Sequence, residues 1–143
     1  MHLVKWSAGL ASAAVLGMTL VVPATSAGAA SASDPEFNAR LHGSSAFPST
    51  RGHSEYERTS THREVEVTVN NAPGRLRGHS VTVFVNGRRV GTMRVNSAGH
   101  AEREWSTSRG QFVPWAGAGS PCRVRTASGT LVVSGRYVRE SGD

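Results

Sequence analysis

The chain has 143 residues, 38% of them hydrophobic, and a formal net charge of +6. Cys122 is the only cysteine, so there is no disulfide within the chain and a hydrophobic core must carry its stability. The length fits one domain, and no apolar run reaches the roughly 20 residues that a helical membrane span needs.

In chain order, Met1 to Lys5 is a short segment with one firm positive charge. The apolar run Ala8 to Val22 follows and stops at Pro23. Small residues come next, and both Ala27-Gly28-Ala29 and Ala30-Ser31-Ala32 offer small side chains at the −3 and −1 positions of a cleavage site. That order predicts a secretory signal over residues 1–30, cut between Ala27 and Ala32. No positive stop-transfer flank, twin-arginine pair or lipid-attachment cysteine accompanies it. The product is expected to be extracellular, released or loosely wall-associated, with no membrane attachment after cleavage.

Residues 31–36 read as a flexible leader. From Phe37 to Val138 short runs of apolar–polar alternation predict strands. Phe37, Ala39 and Leu41 share one face. Phe47 to His53 contains Pro48 and Gly52 and reads as a loop, followed by a short strand with Tyr56 inward. Val65, Val67 and Val69 mark the cleanest strand, and Asn70 to Gly74 a turn. Val81, Val83 and Val85 mark the next strand, ended by the hairpin signal Asn86-Gly87. Val90 to Val95 returns, with Gly91 suggesting a bulge or a close backbone approach. A turn at Asn96 to Gly99 precedes a strand through Ala101, Arg103 and Trp105. Ser106 to Pro121 is rich in Gly and Pro and reads as a long loop. Strands at Cys122 to Thr126 and Thr130 to Val138 complete the domain, and 139–143 is a polar tail. No helical stripe runs for ten residues after the leader. Seven to eight short strands predict an all-β fold, a single antiparallel β-sandwich, immunoglobulin-like or similar.

Residues 37–138 resemble small exported β domains of GC-rich Gram-positive bacteria. The likeness lies in Arg-Glu-Val-Glu-Val-Thr-Val (63–69), Val-Thr-Val-Phe-Val-Asn-Gly (81–87), Val-Gly-Thr-Met-Arg-Val (90–95), Gly-Gln-Phe-Val-Pro (110–114) and Val-Arg-Thr-Ala-Ser-Gly-Thr-Leu-Val (124–132). The resemblance implies a β-sandwich and export, and it implies no activity.

Beyond Lys5 the chain carries fifteen arginines, no lysine and ten carboxylates. The arginines are spread from Arg40 to Arg139, as codon bias in a GC-rich genome would place them, so a solvated basic surface is expected and no nucleic-acid partner. His42, His53, His62, His79 and His100 show no His-x-His pair, although loop histidines could meet at one end of a sandwich; no metal or other cofactor is expected. Glu55/Glu57, Glu64/Glu66 and Glu102/Glu104 are i, i+2 pairs, about 6.5–7 Å apart along a strand. That overlaps the roughly 6.5–9.5 Å of inverting glycosidase carboxylates. The simpler expectation is a solvent face balanced across strands by Arg58, Arg63, Arg103 and Arg123. Cys122 shares the face of Val124 and is expected to be buried, the alternative being an edge position that links two chains. With no nucleophile elbow and no phosphate loop, no catalytic residue is assigned and the chain is not expected to be an enzyme.

The aromatics are the most informative feature. Trp105 and Trp115 lie within eleven residues, with Phe112 between them and Arg109 and Gln111 nearby. Trp115 on a loop suits stacking on a sugar ring or anchoring in a protein; alternatively it folds back to plug the core. The reading is a non-catalytic, monomeric extracellular module. It binds cell-wall polysaccharide or a secreted protein through Trp115, Phe112, Arg109, Gln111 and Trp105. The second reading is an inhibitor of a secreted hydrolase, ranked lower because no disulfide stiffens the loop.

Overall fold

The computed structural model describes residues 34–141. The signal expected at 1–30, its cleavage site and residues 31–33 of the expected leader lie outside the described residues, as do the last two residues of the tail; the leader is corrected at its end, because Glu36 already belongs to the first strand and pairs with Glu57. Nine strands follow in order: β1 (Glu36–Gly43), β2 (Arg51–Arg58), β3 (Arg63–Asn70), β4 (Ser80–Val85), β5 (Arg88–Arg94), β6 (Ala101–Ser106), β7 (Pro121–Thr126), β8 (Leu131–Arg136) and β9 (Val138–Arg139). Among the described residues no helix is long and apolar enough to cross a membrane.

The fold is all-β and antiparallel. The strands form one sheet in the order β5-β4-β7-β8-β1-β2-β3-β6, with β9 beside the start of β1. Its two layers are the halves β5-β4-β7-β8 and β1-β2-β3-β6. They are joined at a corner where only His42↔Ser134 and Gly43↔Val133 pair. The architecture is therefore one curled sheet that nearly closes into a barrel, and not two separate sheets as in an immunoglobulin domain. Glycine makes the corner possible: a Cβ on Gly135 would collide with the Arg40 carbonyl, and one on Gly43 with the Phe47 carbonyl.

Alternation places the core as expected. Phe37, Ala39 and Leu41 of β1, Val65, Val67 and Val69 of β3, and Val81, Val83 and Val85 of β4 are all buried. The Asn86-Gly87 turn has both residues at positive φ, 51° and 80°, which matches the twist of its flanking strands. The stretch expected as a loop at 47–53 is corrected at its end: Arg51, Gly52 and His53 belong to β2, paired to both β1 and β3. Gly52 is not a breaker there. It lets β2 pass close to its neighbours, since a Cβ would lie 2.6 Å from the Thr68 carbonyl oxygen. The last expected strand is two, because the chain turns inward at the buried Tyr137. The tail begins within the fold: Arg139 pairs with Phe37, and the Glu140 amide donates to the Glu36 carbonyl at 2.8 Å.

β5 and β6 are the open edges, and they face each other without a backbone ladder. The seam is closed by side chains. Trp105 packs against Gly91, where a Cβ would lie 2.6 Å from Trp105 Nε1. Arg103 spans the gap, its Nη1 donating to the Thr92 carbonyl at 2.7 Å and its guanidinium lying 5.2 Å from the Trp105 ring. The close approach expected at Gly91 is thus present. So is the bulge, with the register shifting opposite Val83 and Phe84.

Strand direction gathers the loops at two ends. One end holds the β2–β3 and β4–β5 turns and the long connection from β6 to β7. The other holds the β1–β2, β3–β4, β5–β6 and β7–β8 connections.

Candidate functional site

The β6–β7 connection crosses from one half of the sheet to the other and covers the first end. Val113 and Ala116 are buried and plug the core. Trp115 does not fold back: it is 57% exposed, and Phe112 is 47% exposed. The plug and the exposed aromatics are therefore different residues of one loop.

Four consecutive carbonyls of this loop each accept a hydrogen bond from a side chain on or beside the strands. Arg63 Nε donates to Val113 O at 2.7 Å, the Tyr56 hydroxyl to Pro114 O at 2.6 Å, Asn86 Nδ2 to Trp115 O at 3.0 Å, and Arg58 Nε to Ala116 O at 2.9 Å. The Tyr56 oxygen also accepts from the Ala116 amide at 3.0 Å, and Ser120 Oγ accepts from the Gly117 amide at 3.0 Å. An irregular backbone over a barrel end would otherwise bury unpaired carbonyls. Here the sheet supplies the donors and holds the loop in one shape without a disulfide.

Two arginines complete the surface. Arg58 lies 4.4 Å from the Trp115 ring and 5.2 Å from the Phe37 ring, and Arg88 lies 5.0 Å from the Phe112 ring. Each exposed aromatic is thus backed by a cation. Neither arginine is placed at this loop by the sequence, where Arg58 is expected only to balance a glutamate face. For Arg58 the signal existed, because it follows the inward Ser54 and Tyr56 at i+2 spacing. For Arg88 none did, because it becomes relevant only once the hairpin turn meets the loop.

The other expected binding residues are placed differently. Trp105 is 3% exposed and seals the seam, so it is corrected from surface to core. Gln111 Oε1 accepts from the Ser106 amide at 2.9 Å and shapes the start of the loop. Arg109 pairs with Glu104 at 2.8 Å and belongs to the outer face of the sheet. Trp115 and Phe112 remain as surface groups, joined by Arg58 and Arg88.

The expected balancing of glutamates by arginines is overturned. Arg58, Arg63 and Arg103 spend their guanidinium donors on carbonyls, and Arg123 lies in the other half of the sheet. Among the described residues only Arg109 gives a glutamate an arginine partner; the remaining ion pairs are histidines, His53, His62 and His100, beside Glu55, Glu64 and Glu102. Glu55 faces Glu66 and Glu57 faces Glu64 across strands. Burial and then the neighbouring carboxylates raise Glu57 and Glu66 above the usual glutamate range. The histidines do not gather: His62 stands at the loop end, and His79 and His100 at the other. No group of three or more metal-ligating side chains is found among the described residues. At that other end, Phe47, Thr50, Asn71, Arg75 and Arg77 line a cleft of about 290 Å³, with Arg75 stacked 4.4 Å from Phe47.

Cys122 is buried beside Tyr137 and Ser54, whose hydroxyls lie 2.7 Å apart. Burial pushes its thiol up to about 11, and burial also raises Tyr137. The thiol lies inside, on a strand paired on both sides, and not at the edge position that a link between two chains would need. At pH 8 Ellman's reagent is expected to label Cys122 only at the rate of unfolding. Both groups hold their protons more tightly folded than unfolded. Stability is therefore expected to be intact below pH 9 and to fall as pH rises towards 11, as alkaline unfolding monitored by circular dichroism would report.

Compared in sequence with models of known families and with curated proteins, the chain matches none.

Proposed function

We propose that the chain is an exported, non-catalytic binding module that grips a carbohydrate polymer of the cell wall through the β6–β7 loop. The observation that carries this reading is Trp115: a large aromatic held out in solvent by a loop whose four adjoining carbonyls are all tied down. Arg58 stacks on the indole, and more than half of the side chain remains exposed to meet a sugar ring. A rigid aromatic anchor loses little entropy on binding, which is the requirement for stacking on a flexible polymer. Arg58 and Arg88 would favour sugars that carry carboxylate or phosphate groups. A second reading, an inhibitor of a secreted hydrolase, gains from the same hydrogen bonds, because they stiffen the loop where a disulfide was expected to be needed.

The test is co-sedimentation of the chain with cell-wall sacculi, chitin and cellulose at low and high salt. Salt-resistant pelleting is expected, and Trp115→Ala is expected to weaken it at least thirtyfold, about 2 kcal/mol for an anchoring aromatic. The same variant should shift the unfolding free energy by no more than about 0.5 kcal/mol, since the side chain is mostly exposed. Pelleting that disappears in salt would reduce the interaction to charge alone. No pelleting would sink the carbohydrate reading and leave the inhibitor, tested next against secreted proteases.

A further inference from the structure

The two layers of the sheet carry opposite charge on their outer faces. In the β5-β4-β7-β8 half, Val81, Val83, Val85, Cys122 and Val124 point inward, so Phe84, Arg123 and Arg125 point outward. Cross-strand register puts Arg89 beside Phe84, Arg94 beside Ser80 and Arg136 beside Pro121, all on that same outer face. These four strands contain five outward arginines and no carboxylate. In the β1-β2-β3-β6 half the same reading puts Glu36, Glu55, Glu57, Glu64, Glu66, Glu102 and Glu104 outward, with Glu140 beside Glu36. Every glutamate of the chain lies on this face or at its edge. Arg40 and Arg51 also lie on this face, near the opposite end of the strands, and Arg51 donates to the Pro48 and Thr50 carbonyls.

We propose that the arginine face of β5-β4-β7-β8 is a docking surface for a second copy of this chain, which presents its glutamate face. This is independent of the loop reading above and runs against the expected monomer. Two features of the surface carry it. The faces are complementary in sign: among the described residues no arginine of the basic face has a carboxylate partner, Arg125 and Arg136 donating only to the Gly129 and Gly119 carbonyls, and Glu36, Glu57, Glu66 and Glu140 have no cationic partner. They are also complementary in spacing. Arg123 and Arg125 repeat at i, i+2 on β7, as Glu55/Glu57, Glu64/Glu66 and Glu102/Glu104 do on β2, β3 and β6, so all share the spacing of about 6.5–7 Å along a strand. Phe84, flanked by Arg89 and Arg123, gives the basic face an apolar centre. The faces lie on opposite sides of the core, so the contact is head-to-tail and leaves a free face at each end; it builds open stacks, not closed dimers. Four strands, some 20 Å long, offer about 400 Å² a side. That is below the size of stable complexes, so the association is weak, reversible and screened by salt.

Sedimentation velocity of the full chain, from micromolar to millimolar, tests this at about 0.05 M and 1 M salt. Stacks that grow with concentration at low salt and dissociate at high salt are expected. Arg123→Gln/Arg125→Gln should weaken association at least tenfold, and Glu55→Gln/Glu66→Gln equally, because they remove opposite sides of one contact. An equimolar mixture of the two variants should recover pairs and stop there, since each supplies the face that the other lacks. Circular dichroism of each variant shows whether it is folded. Monomer at every condition overturns the proposal, as does association that persists in both double variants. Retention of an anionic polymer such as heparin by a chain that stays monomeric also overturns it, replacing the second copy as occupant of the arginine face.

Discussion

Replacing Trp105 by alanine is expected to cost about 3–5 kcal/mol of unfolding free energy, the range for deleting a buried tryptophan. Against a typical total of about 5–15 kcal/mol, that places the domain near the limit of folding. The reason is position as well as size. Trp105 sits on an edge strand, where the sheet fails to close by hydrogen bonds, and its ring fills the gap against Gly91. Without it Arg103 loses the surface on which it lies while reaching Thr92. Two strand edges are then exposed, and bare edges pair with other chains. Urea unfolding followed by far-ultraviolet circular dichroism measures the first effect, and size-exclusion chromatography the second. Gly91→Ala provides the companion test. Its methyl group would collide with the indole, costing about 1–3 kcal/mol in the native protein and much less in the Trp105→Ala background. Equal costs in both backgrounds, or a loss below about 1 kcal/mol for Trp105→Ala alone, would mean that the seam is held by something other than this contact.

The strands were legible because their valines repeat with period two, and period two has one structural meaning. Val65, Val67 and Val69 are placed inward by the sequence pattern alone. Glycine was less legible because one residue type serves opposite ends: at Gly87 it makes a turn, and at Gly52 it lets strands pass within a strand. Closure of the sheet was invisible, because the corner at Gly43 and Gly135 depends on residues some ninety positions apart. For the same reason the sequence places Trp105 among the surface groups. Its alternation with Arg103 shows a shared face, but not that this face lies against a distant edge strand. The loop aromatics were visible as a cluster, while the donors that hold the loop were not. Arg58, Arg63 and Asn86 looked like solvent-facing polar residues, and only the crossing of the loop overhead gives them carbonyls to bind. The glutamate pairs misled in the other direction. Arginines close to the glutamates in sequence suggest balanced faces, and the topology instead gathers the glutamates on one half of the sheet and five outward arginines on the other.

Tyr56 is the residue through which the core and the loop are coupled, so Tyr56→Phe separates the two. The substitution removes a single oxygen and keeps the ring, which packs against Phe37 and Tyr137 at centroid distances of 6.2 and 5.6 Å. What it strands is the Pro114 carbonyl and the Ala116 amide, both buried and, among the described residues, both partnered only through that oxygen. Leaving two such groups unpaired costs about 2–4 kcal/mol in the closed loop. The loop has an escape that the barrel lacks: it can lift and hydrate both groups. The expected result is therefore local. Hydrogen exchange at Ala116 and proteolysis within residues 111–120 should accelerate sharply, while exchange at Val67 and Val83 slows or quickens little. Because Trp115 lies between the two released groups, it should lose its fixed stack on Arg58, and pelleting with cell-wall polymer should weaken nearly as much as in Trp115→Ala. Loss of binding without loosening of the loop would assign Tyr56 a contact with the ligand itself. Loosening without loss of binding would show that the aromatic need not be held in advance, and would remove rigidity from the account of this site.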